Sequence, residues 1–146
     1  VKLSRTGSWV LLPLVNLAQA PQAAEGAEQI LFSVLAANGL TVTPAPQQQQ
    51  PADEFPLEDS QRLQQALQWA RQRGDTYAIT GGVEEWEYKS GLDGEPAVGI
   101  TLRVIEPASG RILWSASAAR AGWSRESLAG AAQTVLESLV ADLPLQ

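Results

Sequence analysis

At 146 residues, with 45% hydrophobic and 18% charged content, the chain is long enough to bury one core, and wholesale disorder is excluded. A formal charge of −6 and a pI near 4.6 argue against nucleic acid and against docking on anionic lipid, both of which need clustered Lys and Arg; a cationic partner or a plain solubilising surface fits instead. With no Cys and no His, thiol catalysis, Ser-His-Asp triads, Fe–S clusters and the usual zinc sites are ruled out by inventory, and neither cofactor nor metal is expected.

Residues 1–7 are polar and basic and read as an N-terminal tether. The chain lacks Met even at its first position, so Val1 is expected to follow a processing or truncation event, and a removed targeting segment fits. Residues 8–18 (SWVLLPLVNLA) are nearly continuous apolar, the pattern of a strand buried on both faces, with Pro13 demanding a bulge or an edge position. The longest apolar run, residues 9–15, is too short to span a membrane.

Pro21 opens a helix in which Ala27, Ile30, Leu31, Val34 and Leu35 recur at helical spacing, and Asn38-Gly39 closes it. A short β-type run at 40–43 is cut by a Pro/Gln-rich loop at 44–56. Asp59 or Ser60 then caps a second helix with Leu63, Ala66, Leu67 and Ala70 on one face, Trp69 at its margin and Gly74 at its end.

Residues 77–123 read as an antiparallel meander of strands at 77–88, 96–106 and 111–121, with turn clusters at 91–94 and 107–110. Val98, Ile100, Leu102 and Val104 share one face of the middle strand, with Thr101 and Arg103 on the other. The third strand places Ile112, Trp114, Ala116 and Ala118 opposite a row of serines. A last helix capped by Ser124 carries Leu128, Ala131, Ala132, Val135, Leu136, Leu139 and Leu143 to the stop at Pro144. The expected fold is α/β (α+β): one domain, 8–146, with helices packed on a mixed sheet in the order β-α-β-α-β-β-β-α and the first two strands parallel.

The chemistry concentrates in the acidic set Glu84, Glu85, Glu87, Asp93 and Glu95. Glycosidases use two carboxylates across a cleft, usually on different elements, whereas these lie on one strand end and its turn. A solvated face is the plainest reading, and a negative field for a cationic ligand is the functional one. The glycine pairs form no phosphate loop. Trp123, between Gly122 and Ser124, fits either a hydrophobic staple beside the helix cap or an exposed anchor at a membrane interface or subunit contact. Trp9 and Trp114 lie in apolar runs and belong to the core.

Residues 81–133 carry a more specific signal: the Trp86/Tyr88 W-x-Y pair, the GLDGEP turn, the SGR-x-LW strand start and the GWSRES helix start, in that order. This third of the chain resembles the PelC family, the outer-membrane lipoproteins of the Pel exopolysaccharide export apparatus in biofilms. The N-terminal half matches in organisation, with weaker motifs. The resemblance implies a fold related to the TolB N-terminal domain and to CsgG, and no enzymatic activity. It further implies a dodecameric homo-oligomeric ring at the periplasmic face of the outer membrane, beneath the exporter PelB. That ring would offer an electronegative funnel to a cationic exopolysaccharide. Asp93, Glu95, Glu84, Glu85 and Glu87 become candidates for the acidic lumen and Trp123 for the membrane contact. The N-terminal lipid that would anchor the protein has no attachment Cys in this chain. The alternative is a TolB-N-like adaptor that binds another envelope protein without touching polymer, and a carboxylate-dependent glycosidase comes third.

Overall fold

The strand from Tyr77 to Tyr88 is hydrogen-bonded along both edges, and the other elements are placed by it. The computed structural model describes residues 2–46, 58–89, 94–122 and 126–146. In chain order these form β1 (Trp9–Leu11), β2 (Val15–Asn16), α1 (Ala23–Ala37), β3 (Val42–Pro44), α2 (Asp59–Arg73), β4 (Tyr77–Tyr88), β5 (Pro96–Glu106), β6 (Arg111–Ala121) and α3 (Leu128–Ala141). The sheet runs β3-β1-β4-β5-β6, with β2 also paired to β4. β1 is parallel to β3 and β4, while β4, β5 and β6 form the antiparallel meander. The mixed α+β architecture expected from the sequence is the one found.

Pro13 interrupts a central strand, not an edge. β1 pairs Leu11 with Ile79 and β2 pairs Val15 with Gly82, so the chain spends one residue more than its partner between them. This is the expected bulge. It removes Pro13 from a ladder it cannot donate to, and its carbonyl accepts from Thr80 Oγ1 at 2.8 Å.

The helices sit on opposite faces. α1 and α3 cover Trp9, Leu11, Ile79, Val83, Val98, Ile100, Leu102 and Val104, whereas α2 covers Val10, Leu12, Ala78 and Ile105 through Ala66, Leu67 and Ala70. β1 is thus buried on both sides, as its unbroken apolar run requires. Trp9 also stacks on Tyr77 with centroids 4.5 Å apart.

Several boundaries differ from the sequence reading, each for a local reason. α1 starts at Ala23 with Gln22 as its cap, two residues beyond Pro21. α2 is capped by Glu58, whose N–H is accepted by the Gln61 side chain at 3.1 Å, in place of Asp59 or Ser60. Ser124 lies outside the described residues. The cap of α3 is Ser127, whose Oγ accepts from Gly130 N–H at 2.9 Å, so Glu126 precedes the helix. A bulge at Leu113 pairs Ile112 with Ile105 and leaves it 53% exposed, while Leu113 and Trp114 turn together onto the core. Within the expected tether, Leu3 is buried and bridges Leu145, and Gln146 N–H donates to Leu3 O at 2.9 Å. Most of the expected 44–56 loop lies outside the described residues.

Gly81 marks the tightest approach in the sheet: a Cβ there would stand 1.9 Å from the Thr101 carbonyl oxygen. At Gly99 the added carbon would meet Glu85 Cβ at 3.5 Å, an ordinary contact. Gly81→Ala is expected to cost on the order of 3 kcal/mol, because backbone must yield. Gly99→Ala should stay within about 1 kcal/mol of the parent. Urea unfolding midpoints of the two variants check the contrast.

Candidate functional site

The acidic strand end is shaped by a bulge in β4. Val83 pairs with Ile100 and Glu85 with Gly99, so Glu84 is the extra residue. Glu85 and Glu87 lie opposite Gly99 and Ala97, on the sheet face away from α1 and α3. Simple alternation would send Glu84 to the other face. The bulge turns it back, and its carboxylate accepts from Thr101 Oγ1, which in turn accepts from Ser117 Oγ–H at 2.6 Å. Glu84, Glu85 and Glu87 are therefore brought together on one face, Glu84 and Glu87 exposed and Glu85 half-buried.

The same face continues across β6 as Ser115, Ser117, Ala119 and Ala121, all exposed, and the outer edge of this strand has no partner among the described residues. Glu95 is exposed at the start of β5, where its carbonyl accepts from Lys89 N–H at 2.7 Å. Asp93 and Trp123 lie outside the described residues. The backbone on either side of 123–125 is held at the end of β4–β5. Gly122 N–H donates to Pro96 O at 2.7 Å, and Tyr88 Oη accepts from Leu128 N–H at 3.2 Å. A Cβ at Gly122 would stand 2.5 Å from Glu126 Oε2, which ties this glycine to the Arg120–Glu126 ion pair. Trp86 packs against Gly26 of α1, so the W-x-Y pair joins the sheet end to two helices.

Sequence reasoning missed a second feature. At the C-terminal ends of β1 and β3 a cleft of about 740 Å³ opens between α1 and α2, with Leu12, Leu14, Phe32 and Trp69 among its apolar lining. Its polar lining includes Glu25, Glu28, Asp59 and Arg62. Two of these carboxylates serve the chain break around Pro13: Glu28 Oε1 accepts from Leu14 N–H and Asp59 Oδ2 from Asn16 N–H, each at 2.7 Å. Asp59 also pairs with Arg62. Burial pushes the Glu28 carboxyl above the usual carboxylate range, the Leu14 hydrogen bond opposing it and the nearby Glu25 charge adding to it. The i, i+3 spacing of Glu25 and Glu28 was visible in sequence; their convergence with Asp59, from a different helix, was not.

Among the described residues no group of His, Cys, Asp or Glu has metal-holding geometry, and no helix is long and apolar enough to cross a membrane.

Over its whole length the chain is similar to PelC from Paraburkholderia phytofirmans, solved as a dodecamer, with 33% identity, a TM-score of 0.81 and 93% of that chain covered. A second structure of that dodecamer, carrying one leucine-to-methionine substitution, gives the same identity and score. Lipoprotein GNA1162 from Neisseria meningitidis shares the fold at 17% identity and TM-score 0.67, covering 92% of this chain and 96% of that one. The LpoB C-terminal domain from Salmonella enterica also shares it, at 18% identity and TM-score 0.54, over 82% of this chain and 85% of that one. No family profile and no curated protein matches the chain.

The Glu28 environment has a definite pH signature. Its pKa is raised on folding, so between the ordinary and the raised value the native state holds more protons than the unfolded chain. Stability from this group therefore falls as pH rises through that window. Glu25, Asp59 and Arg62 are the charged groups that face it. Glu28→Gln keeps an acceptor for Leu14 and removes the buried charge. The variant is expected to unfold at higher denaturant than the parent at pH 7 and to converge with it in acid. Denaturant midpoints taken across the acid range read both effects.

Proposed function

Because the chain belongs to the PelC family, we propose that it assembles into a closed ring at the outer membrane and guides a cationic polysaccharide toward the exporter PelB without catalysis. The observation that carries this reading is the full-length match to a PelC that is a dodecamer, joined to a bulge that gathers Glu84, Glu85 and Glu87 on one open face. A row of solvated carboxylates repeated around a ring attracts a polycation through many weak contacts. Each releases easily, so the polymer is drawn in without being held. Cleavage of a glycosidic bond would instead need two carboxylates flanking one sugar, and these three project from a single strand.

Contact between copies has a natural candidate in β6, whose exposed small side chains and outer edge, unpaired among the described residues, permit close backbone approach. Heterologous contacts of this kind close into rings when the rotation fits. Asp93 and Glu95 extend the proposed acidic lining beyond the strand. Trp123 is assigned the membrane interface, with a lipid on a preceding segment supplying the main anchor.

Replacing Asp93 with Asn and Glu95 with Gln is expected to lower secreted polymer by about tenfold, the scale of an electrostatic focusing effect. The assembly mass should not change; unaltered secretion would count against guidance, and a purified chain that stays monomeric would favour the adaptor. Trp123→Ala should yield a folded protein that pellets less with outer-membrane vesicles. If that variant fails to fold, the residue is a staple beside the cap of α3.

A further inference from the structure

The cleft between α1 and α2 has the position and lining of a binding site that the acidic funnel does not use. β1 and β3 are adjacent parallel strands, yet the chain leaves β1 toward α1 on one face and leaves β3 toward α2 on the other. Where neighbouring connections diverge to opposite faces, a crevice is left beyond the carboxyl ends of the strands, and ligands of open sheets bind there. The crevice here, about 740 Å³, falls in the usual range for a binding pocket. Its floor is aliphatic and prolyl, from Leu11, Leu12, Pro13, Leu14 and Pro44, and Phe32 stands at its rim with 41% of its surface exposed. The exposed ring extends the apolar lining available to an occupant of the crevice.

The charge of the lining selects the occupant. Glu25, Glu28 and Asp59 outnumber Arg62, which is already paired with Asp59. A cation entering along the Glu25 side meets uncompensated negative charge and lifts the burden recorded in the raised Glu28 pKa. A sugar stacking in the cleft would have to rest on Phe32 alone, because Trp69 is already engaged. The Trp69 ring is overlaid by the Arg73 guanidinium, 4.7 Å from its centroid.

We propose that this cleft takes a short extended segment of another protein, one carrying an apolar side chain beside a Lys or Arg. The apolar residue would fill the space between Phe32 and Leu14, and the basic one would pair with Glu25 and Glu28. This inference uses other residues than polymer guidance does: Asn16 of the cleft lining pairs with Val83, and the acidic set begins one residue further along β4.

The test uses the assembled protein and fluorescein-labelled hexapeptides read by fluorescence polarisation. A peptide alternating leucine and lysine should bind saturably. Replacing its lysines with glutamate, or its leucines with serine, should weaken binding at least about tenfold, as loss of an anchor does. On the protein, Phe32→Ser and Glu25→Lys alter exposed side chains, so each should weaken the leucine–lysine peptide by about tenfold without lowering the melting temperature. Glu84→Gln combined with Glu85→Gln and Glu87→Gln should leave its binding unchanged. Any of four results overturns the proposal: no saturable binding, binding lost in the triple variant, displacement by a glucosamine hexamer at equal concentration, or a changed assembly mass in Phe32→Ser. The last would make the cleft a contact between copies.

Discussion

Every element is held in place by the pairing of β4 along both of its edges. One edge carries parallel ladders to β1 and β2, the other an antiparallel ladder to β5. A slip of one residue in either would exchange Ile79 and Val83 with their polar neighbours and turn the buried face outward. The close approach of Gly81 to the Thr101 carbonyl pins the antiparallel register, because no other residue lets the two backbones come so near. Two of the three irregularities of the sheet involve this strand: the extra residue near Pro13 in the chain along one edge, and Glu84 within β4 itself. The first accommodates a missing donor. The second redirects a side chain.

Division of the helices between two faces follows from the same strand. α1 and α3 share the larger face and cover the alternating apolar residues of β5, while α2 covers only the part of the other face near β1. Beyond α2 that face is left to Glu84, Glu85, Glu87 and the small residues of β6. The helices also diverge at the ends of β1 and β3, which opens the cleft. One packing decision thus produces both acidic surfaces.

Those surfaces differ physically even though both are acidic. Carboxylates on the open face keep their water, attract cations weakly and over a distance, and impose little geometry. In the cleft the Glu28 carboxyl has lost part of its water, and burial raises its pKa, so a cation there interacts at short range with defined partners. The first arrangement suits a polymer in transit and the second a docked segment.

The apolar periodicities of β5, α1, α2 and α3 were legible in the sequence because burial of one face imposes a period of 2 or 3.6 on composition. The same holds for the uninterrupted run of β1, the glycine ends of α1 and α2, and the likeness to PelC carried by residues 81–133. Cap positions were off by a few residues, because Ser, Asp and Glu all offer an oxygen and only the path of the chain selects one. Tertiary structure alone decided that Glu84 joins Glu85 and Glu87, that Ile112 faces out, and that Glu25 and Glu28 meet Asp59 across a cleft. A bulge changes the parity of a strand without leaving any mark on its composition. Residues distant along the chain converge only once two helices have taken opposite faces of one sheet.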